Sequence, residues 1–163
     1  MKIELKRIEH SERMSEETEC FTADLWVDGV KIGTISNHGT GGCDDFHGDH
    51  VAFAAADAWC KANLPRWSLD EAHPDQHETD LEMHVASILA KHLGIKQMKR
   101  ELAKHVVFQK AGDKGLYTIT PKKGFKTSDP RIHAQVLERH PGATILNTLP
   151  TETAYTTFSE CSE

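Results

Sequence analysis

The chain has 163 residues, of which 38% are hydrophobic and 27% charged, and its formal net charge is −6. This length and composition suit one globular domain with a core of its own and exclude a disordered chain. No apolar run reaches the roughly 20 residues that cross a bilayer, and the charged N-terminus is unlike a signal peptide. We therefore expect a cytoplasmic location and no membrane contact. The four cysteines form no CxxC pair, so in that compartment we expect reduced thiols.

The first third of the chain predicts a three-stranded antiparallel meander. Residues 2–8 alternate between apolar and charged side chains, and residues 21–36 alternate around Asp28-Gly29, which is typical of a hairpin turn. The following stretch, Gly39–His50, reads GTGGCDDFHGDH and is expected to be a loop. The meander therefore ends at a glycine-rich, polar connection.

Two helical patterns follow the loop. Residues 51–63 are rich in alanine, and Asp49 precedes them as an N-cap. Residues 65–78 contain two prolines and predict a loop. The next helix is expected to start at Thr79, because Glu82 three positions later completes a capping box.

The last third predicts a second hairpin, two helices and a short strand. Residues 105–120 hold two β-patterns around the turn AGDKG, and Asp129 with the proline after it begins an amphipathic helix. Residues 143–149 are expected to form a strand, and Pro150 opens a terminal helix.

The order of these elements indicates an α+β fold, with antiparallel strands packed against about four helices. We expect a single compact domain over residues 1–163. Two sub-lobes, 1–64 and 79–150, are expected on either side of the loop 65–78.

Charge is unevenly distributed along the chain. Residues 1–90 carry 7 Lys/Arg against 18 Asp/Glu, whereas residues 91–139 carry 12 against 4. Such a basic stretch attracts polyanions at long range; alternatively, it neutralises the acidic part and binds nothing. If it does bind, the expected contacts to a nucleic acid or protein partner are Lys96, Lys99, Arg100, Lys104, Lys122, Lys123 and Lys126.

The loop Gly39–His50 concentrates metal-ligand chemistry. Imidazole and thiolate groups suit zinc, and the aspartates nearby suit manganese. A metal-dependent hydrolase or nuclease is therefore one reading of the sequence. Alternatively, the loop is a structural reversal in which the glycines relieve strain. The candidate metal ligands are His38, Cys43, His47 and His50.

Residues 88–105, ILAKHLGIKQMKRELAKH, resemble a helix-turn-helix, with Gly94 in the position of the turn glycine. The resemblance implies a second helix from Ile95 to about Lys104 in the major groove and a hairpin at the place of a wing. It departs from the motif at Arg100, which occupies a slot usually filled by a buried aliphatic residue. Two packed amphipathic helices are the simpler interpretation.

The strand–strand–helix order of residues 21–64 is similar to that of a double-stranded-RNA-binding domain. Such domains carry lysines at the start of the helix. Here that place reads CDDFHGDH, so RNA binding by this face is not expected.

The stretches DGVKIGTISNHGTGGCDDFH, VVFQK…GLYTIT and ATILNTLPTETAYTTF together resemble a family of small uncharacterised proteins of phages and proteobacteria. The resemblance implies a mobile-element role, such as host takeover or inhibition of a defence system, and brings no catalytic residues.

Three functions follow from these patterns. The first is a non-enzymatic binding protein that contacts a nucleic acid or a nucleic-acid-handling protein. The alternatives are the metal-dependent hydrolase and a winged-helix-like DNA-binding regulator. The sequence leaves open whether the chain catalyses a reaction and whether it oligomerises.

Overall fold

A computed structural model describes residues 1–68 and 76–161, so part of the predicted loop 65–78 lies outside the described residues. Within the described residues, two antiparallel sheets and four α-helices confirm the α+β class. The strands are β1 (Ile3–His10), β2 (Phe21–Val27), β3 (Val30–Asn37), β4 (Asp45–Gly48), β5 (Val106–Gln109), β6 (Leu116–Ile119) and β7 (Thr144–Ile145). The helices are α1 (His50–Asn63), α2 (Leu81–Lys104), α3 (Pro130–Arg139) and α4 (Thr151–Glu160).

The chain divides into two compact units, unit 1 (Met1–Ala90) and unit 2 (Lys91–Glu163), with the boundary inside α2. Unit 1 carries the net charge of −11 that residues 1–90 contribute, and the remaining residues carry 12 Lys/Arg against 7 Asp/Glu. The predicted single domain over residues 1–163 stays a prediction.

The sheet of unit 1 has the strand order β1-β2-β3-β4, and every neighbouring pair is antiparallel. The β2–β3 hairpin closes through Asp28 (φ +48°) and Gly29 (φ +84°), which confirms the predicted turn.

The predicted three-stranded meander is confirmed by β1, β2 and β3. The expectation that Gly39–His50 is a loop is wrong for its last part, because β4 forms there and adds a fourth strand. Gly48 has φ +149° and lies opposite Gly33, and a Cβ on Gly48 would fall 2.6 Å from the Gly33 Cα. The two glycines therefore let the strands approach closely. The pairing continues into Asp49, whose N–H donates to the Ile32 carbonyl at 2.9 Å.

One face of this sheet forms the core of unit 1. Ala23, Ile35 and Phe46 are cross-strand partners and so lie on the same face. The ring of Phe53 from α1 lies 5.5 Å from that of Phe46 in an edge-to-face arrangement. The α1 side chains buried beside them are Phe53, Ala56 and Cys60.

Helix α1 begins as predicted. One carboxylate oxygen of Asp49 accepts hydrogen bonds from the N–H groups of Val51 and Ala52, both at 3.0 Å. Trp59 of α1 is half-buried.

Helix α2 runs without interruption from Leu81 to Lys104, so the predicted stop at Gly94 and the separate helix after it are wrong. Gly94 serves close packing instead, because a Cβ there would lie 2.7 Å from the Tyr155 ring of α4. The helix-turn-helix therefore does not form.

The predicted capping box of α2 is also wrong. The Thr79 hydroxyl donates to the Pro65 carbonyl at 2.6 Å. Asp80 caps the helix in its place, since its carboxylate accepts from the Met83 N–H at 2.8 Å. Glu82 points to another partner, the N–H of Asp44.

Unit 2 is built on a three-stranded sheet of order β6-β5-β7. The β5–β6 pair confirms the predicted second hairpin. Of the predicted strand over 143–149, only β7 forms, and residues Leu146–Thr148 make a 3₁₀ turn. The fully buried side chains of the unit are Met98, Val106, Val107, Val136, Leu146 and Ala154.

Candidate nucleic-acid interface

The loop Gly39–His50 is held by hydrogen bonds within unit 1. The buried Asn37 lies at the centre of this network: its Oδ1 accepts from the Thr18 hydroxyl at 2.6 Å, and its Nδ2 donates to Asp44 Oδ1 at 2.9 Å. The N–H of Asp44 donates to Glu82 Oε1 at 2.8 Å. Burial raises the pKa of Asp44 against the opposing effect of the Asn37 hydrogen bond. These polar residues therefore serve as structural partners of one another.

The four predicted metal ligands all have exposed side chains. His38 and Cys43 lie in the loop before β4, and His47 lies in β4. Because side chains alternate along a strand and Phe46 faces α1, His47 lies on the opposite face of the sheet.

His50 is the first residue of α1, and its exposed ring lies 6.1 Å from that of Phe53. Across residues 1–68 and 76–161, no three His, Cys, Asp or Glu side chains are arranged to hold a metal ion. The zinc or manganese site stays a prediction, and this geometry does not assemble it.

A serine, a histidine and a glutamate meet at one end of β1. The Nε2 atom of His10 lies 2.6 Å from Glu19 Oε2 and 3.4 Å from the Ser15 hydroxyl. A catalytic relay needs one ring nitrogen for each partner, whereas here both partners share Nε2. Ser15 also donates to the Ser11 carbonyl and accepts from the Cys20 N–H, so it acts as a loop brace.

The C-terminal half of α2 has one buried face and one basic face. Met98 is buried in the core of unit 2, with Leu102 packed beside it. The opposite face lines an open depression of about 570 Å³. Lys99 and Arg100 follow Lys96 by three and four positions, and residues at that spacing share one face of a helix. The residues that line the depression are His92, Ile95, Lys96, Lys99, Arg100 and Ala103.

The segment between β6 and α3 is ordered by two consecutive turns. The Phe125 N–H donates to the Lys122 carbonyl at 3.0 Å, and the Asp129 N–H donates to the Lys126 carbonyl at 3.1 Å. Gly124, the third residue of the first turn, has φ +95°, as a type II turn requires. The segment exposes Lys122, Lys123 and Lys126.

This segment and α2 line three neighbouring depressions that share residues. Ala103 lines both the first depression and a second of about 400 Å³, which Lys104 and Lys126 also line. Lys126 and Ser128 in turn line a third of about 510 Å³. We call the resulting patch the basic surface; it comprises Lys96, Lys99, Arg100, Lys104, Lys122, Lys123 and Lys126.

The lysines of the basic surface have no carboxylate partner within ion-pair distance in the part of the chain that the structure describes. Lys91 differs, because its Nζ lies 2.6 Å from Glu152 Oε2. Unpartnered ammonium groups keep their full attraction for an external anion. The basic surface is therefore electrostatically suited to a chain of phosphates.

Two residues that the sequence reading missed lie within this patch. Phe125 remains 45% exposed, and the Arg131 guanidinium stands over its ring at 5.0 Å from the centroid. Asp129 holds that guanidinium with two hydrogen bonds, of 3.1 Å from Nε and 2.8 Å from Nη2. The signal was the string KKGFK, in which an aromatic residue stands among lysines after a turn glycine.

No family model matches the chain, and neither a curated protein nor a solved structure matches it. The resemblance to the phage and proteobacterial family stays a prediction. Among the described helices, none is both long enough and apolar enough to cross a membrane.

Proposed function

We propose that this protein is a non-enzymatic binding protein whose unit 2 binds nucleic acid through the phosphate backbone. One observation carries the proposal: six lysines that have no carboxylate partner among residues 1–68 and 76–161, together with Arg100, line or flank neighbouring depressions on α2 and the 121–129 segment. Phosphate contacts supply most of the affinity in binding that does not depend on sequence, because they release condensed counterions.

The charge of unit 1 favours the same assignment. Residues 1–90 carry a net −11 and so repel a polyanion, whereas the residues after them are basic. This asymmetry limits nucleic-acid contacts to unit 2. In the acidic stretches at Glu16–Glu19 and Asp44–Asp49, the exposed Glu16, Glu17 and Asp45 are the candidate contacts for a protein partner. Glu19, Asp44 and Asp49 already bond within the unit.

A cytoplasmic location and a mobile-element role belong to the same proposal. The role, in host takeover or inhibition of a defence system, rests on the sequence resemblance, and binding to nucleic acid or its handling proteins is compatible with it. The metal-dependent hydrolase has less support, since its four candidate ligands are spread over the loop before β4, β4 itself and the start of α1. A winged-helix regulator lacks the separate recognition helix.

Charge reversal within unit 2 tests the proposal. The variant Lys96→Glu/Lys99→Glu alters the basic surface, and Lys114→Glu/Arg139→Glu makes the same change of net charge at exposed positions elsewhere in the unit. Binding of fluorescent DNA and RNA is followed by anisotropy. We expect the first variant to lose about tenfold in affinity and the control to lose far less. Equal losses would contradict a defined surface, and absence of binding by the wild type would refute the function.

A further inference from the structure

Phe125 is an aromatic side chain presented to solvent within a cationic surface. It is 45% exposed, and it lines the depression of about 400 Å³ whose other walls include Lys104 and Lys126. An apolar ring flanked by cations matches a ligand with a flat face and an adjacent negative charge.

Arg131 extends this aromatic surface. Its guanidinium lies over the Phe125 ring, and the two hydrogen bonds that it donates to the Asp129 carboxylate fix the orientation of the guanidinium plane. Arg131 also lines the depression of about 510 Å³. The Phe125–Arg131 pair therefore lies between two depressions, and Lys126 lines both of them.

The backbone beneath the pair is ordered before any ligand arrives. The two turns fix Phe125 and Asp129, and His133 Nε2 donates to the Thr127 carbonyl at 2.7 Å from α3. Binding therefore requires little ordering of the segment, which is the condition for a useful stacking contact.

We propose that Phe125 and Arg131 form a stacking platform for an unpaired base, so that the basic surface takes single-stranded nucleic acid in preference to duplex. The inference rests on the proposed function and adds the class of nucleic acid. Inside a duplex each base face is covered by its neighbours, so a duplex offers a free base face only at its ends, whereas a single strand offers one at every base. Aromatic stacking combined with cations along the backbone is the general mode of single-strand binding.

The test compares four labelled probes with the full-length protein: oligothymidylate, oligouridylate, an abasic deoxyribose-phosphate chain and a blunt DNA duplex, each of about 16 nucleotides or base pairs. Wild-type protein should bind the two base-bearing single strands about tenfold more tightly than the abasic chain. Phe125→Leu, which keeps the apolar bulk but removes the ring, should abolish that preference and leave duplex binding unchanged. Phe125→Tyr should retain it, and the DNA and RNA strands should respond alike to both variants.

Leu137→Ala is the matched control, because Leu137 is also 45% exposed but lies in α3 outside the depressions around Phe125. It should bind every probe as the wild type does. If the wild type binds all four probes and Phe125→Leu changes nothing, the stacking platform is refuted while phosphate binding stands. If the wild type binds none of them, both proposals fail. Tighter binding of duplex than of single strands would also overturn the platform.

Discussion

Gly94 of α2 lies directly against the aromatic ring of Tyr155 in α4, so closely that a Cβ on Gly94 would fall 2.7 Å from the ring carbon Cε2. On helix propensity alone, Gly94→Ala should stabilise α2 by about 1 kcal/mol. We expect the opposite sign, a loss of about 1 kcal/mol, because the Tyr155 ring has to move out of a packed position. Urea unfolding of the two proteins measures the difference.

A second background separates packing from propensity at this position. In Tyr155→Ala the ring is absent, so Gly94→Ala should now stabilise the protein by roughly 0.5–1 kcal/mol. The same destabilisation in both backgrounds would show that Tyr155 is not the cause.

Asn147 ties the end of α2 to β5. Its Oδ1 accepts from the Val107 N–H at 2.8 Å, and its Nδ2 donates to the Leu102 and His105 carbonyls, both at 2.9 Å. Asn147→Leu leaves these backbone groups without partners, so we expect a loss of about 2–4 kcal/mol in the free energy of unfolding. The neighbouring Thr148→Ala removes one local hydrogen bond and should cost about 0.5 kcal/mol. Similar losses from the two variants would contradict the bracing role of Asn147.

The Asp129–Arg131 pair predicts a pH dependence at the acid end. The hydrogen bonds from the Arg131 side chain and backbone lower the pKa of Asp129 from 3.8 to about 2. A lowered pKa in the folded state means that the ionised form stabilises the fold. This stability is fully present above about pH 4 and is lost as the pH falls towards about 2.

Asp129→Asn provides the comparison, because asparagine still caps α3 but does not pair with Arg131. The melting temperature of the wild type should exceed that of the variant near neutral pH, and the difference should shrink through the acid range. A difference that is constant with pH would show that the ion pair contributes nothing.

The predicted metal site has a direct elemental test. Protein purified without chelator should contain well below one zinc or manganese ion per chain, because no three potential ligands among the described residues are arranged to hold an ion. Cys43→Ala/His47→Ala should have the same metal content and the same stability as the wild type. One ion per chain that the double variant loses would establish the site and reopen the hydrolase reading.

One turn and two helix starts, which depend on one or two neighbouring residues, were predicted correctly from the sequence. Asp28-Gly29 sets its own turn, and Asp49 and Asp129 each cap the helix that follows them. Gly94 was misread because a glycine that ends a helix and a glycine that admits a ring look the same in sequence. Strand β4 was missed because its partner, β3, supplies the backbone hydrogen bonds, which the short sequence Asp-Phe-His-Gly does not predict.

The sequence predicts the lysines of the candidate interface but not the exposed Phe125 among them. The excess of lysine after Lys91 is visible in the composition, and the structure brings Lys104 and Lys126 to one depression. Phe125 was overlooked because a single phenylalanine normally belongs to a core. Its exposure and its pairing with Arg131 depend on the two turns, which only the folded chain displays.

The salt dependence of nucleic-acid binding tests the central claim most directly. Affinity for oligothymidylate is measured at several concentrations between about 50 and 200 mM salt, for the wild type and Lys96→Glu/Lys99→Glu. Phosphate contacts from three to five cations predict a slope of log K against log salt of about −2 to −4, and a shallower slope in the variant. A wild-type slope near zero, or identical slopes in the two proteins, would contradict binding through the basic surface.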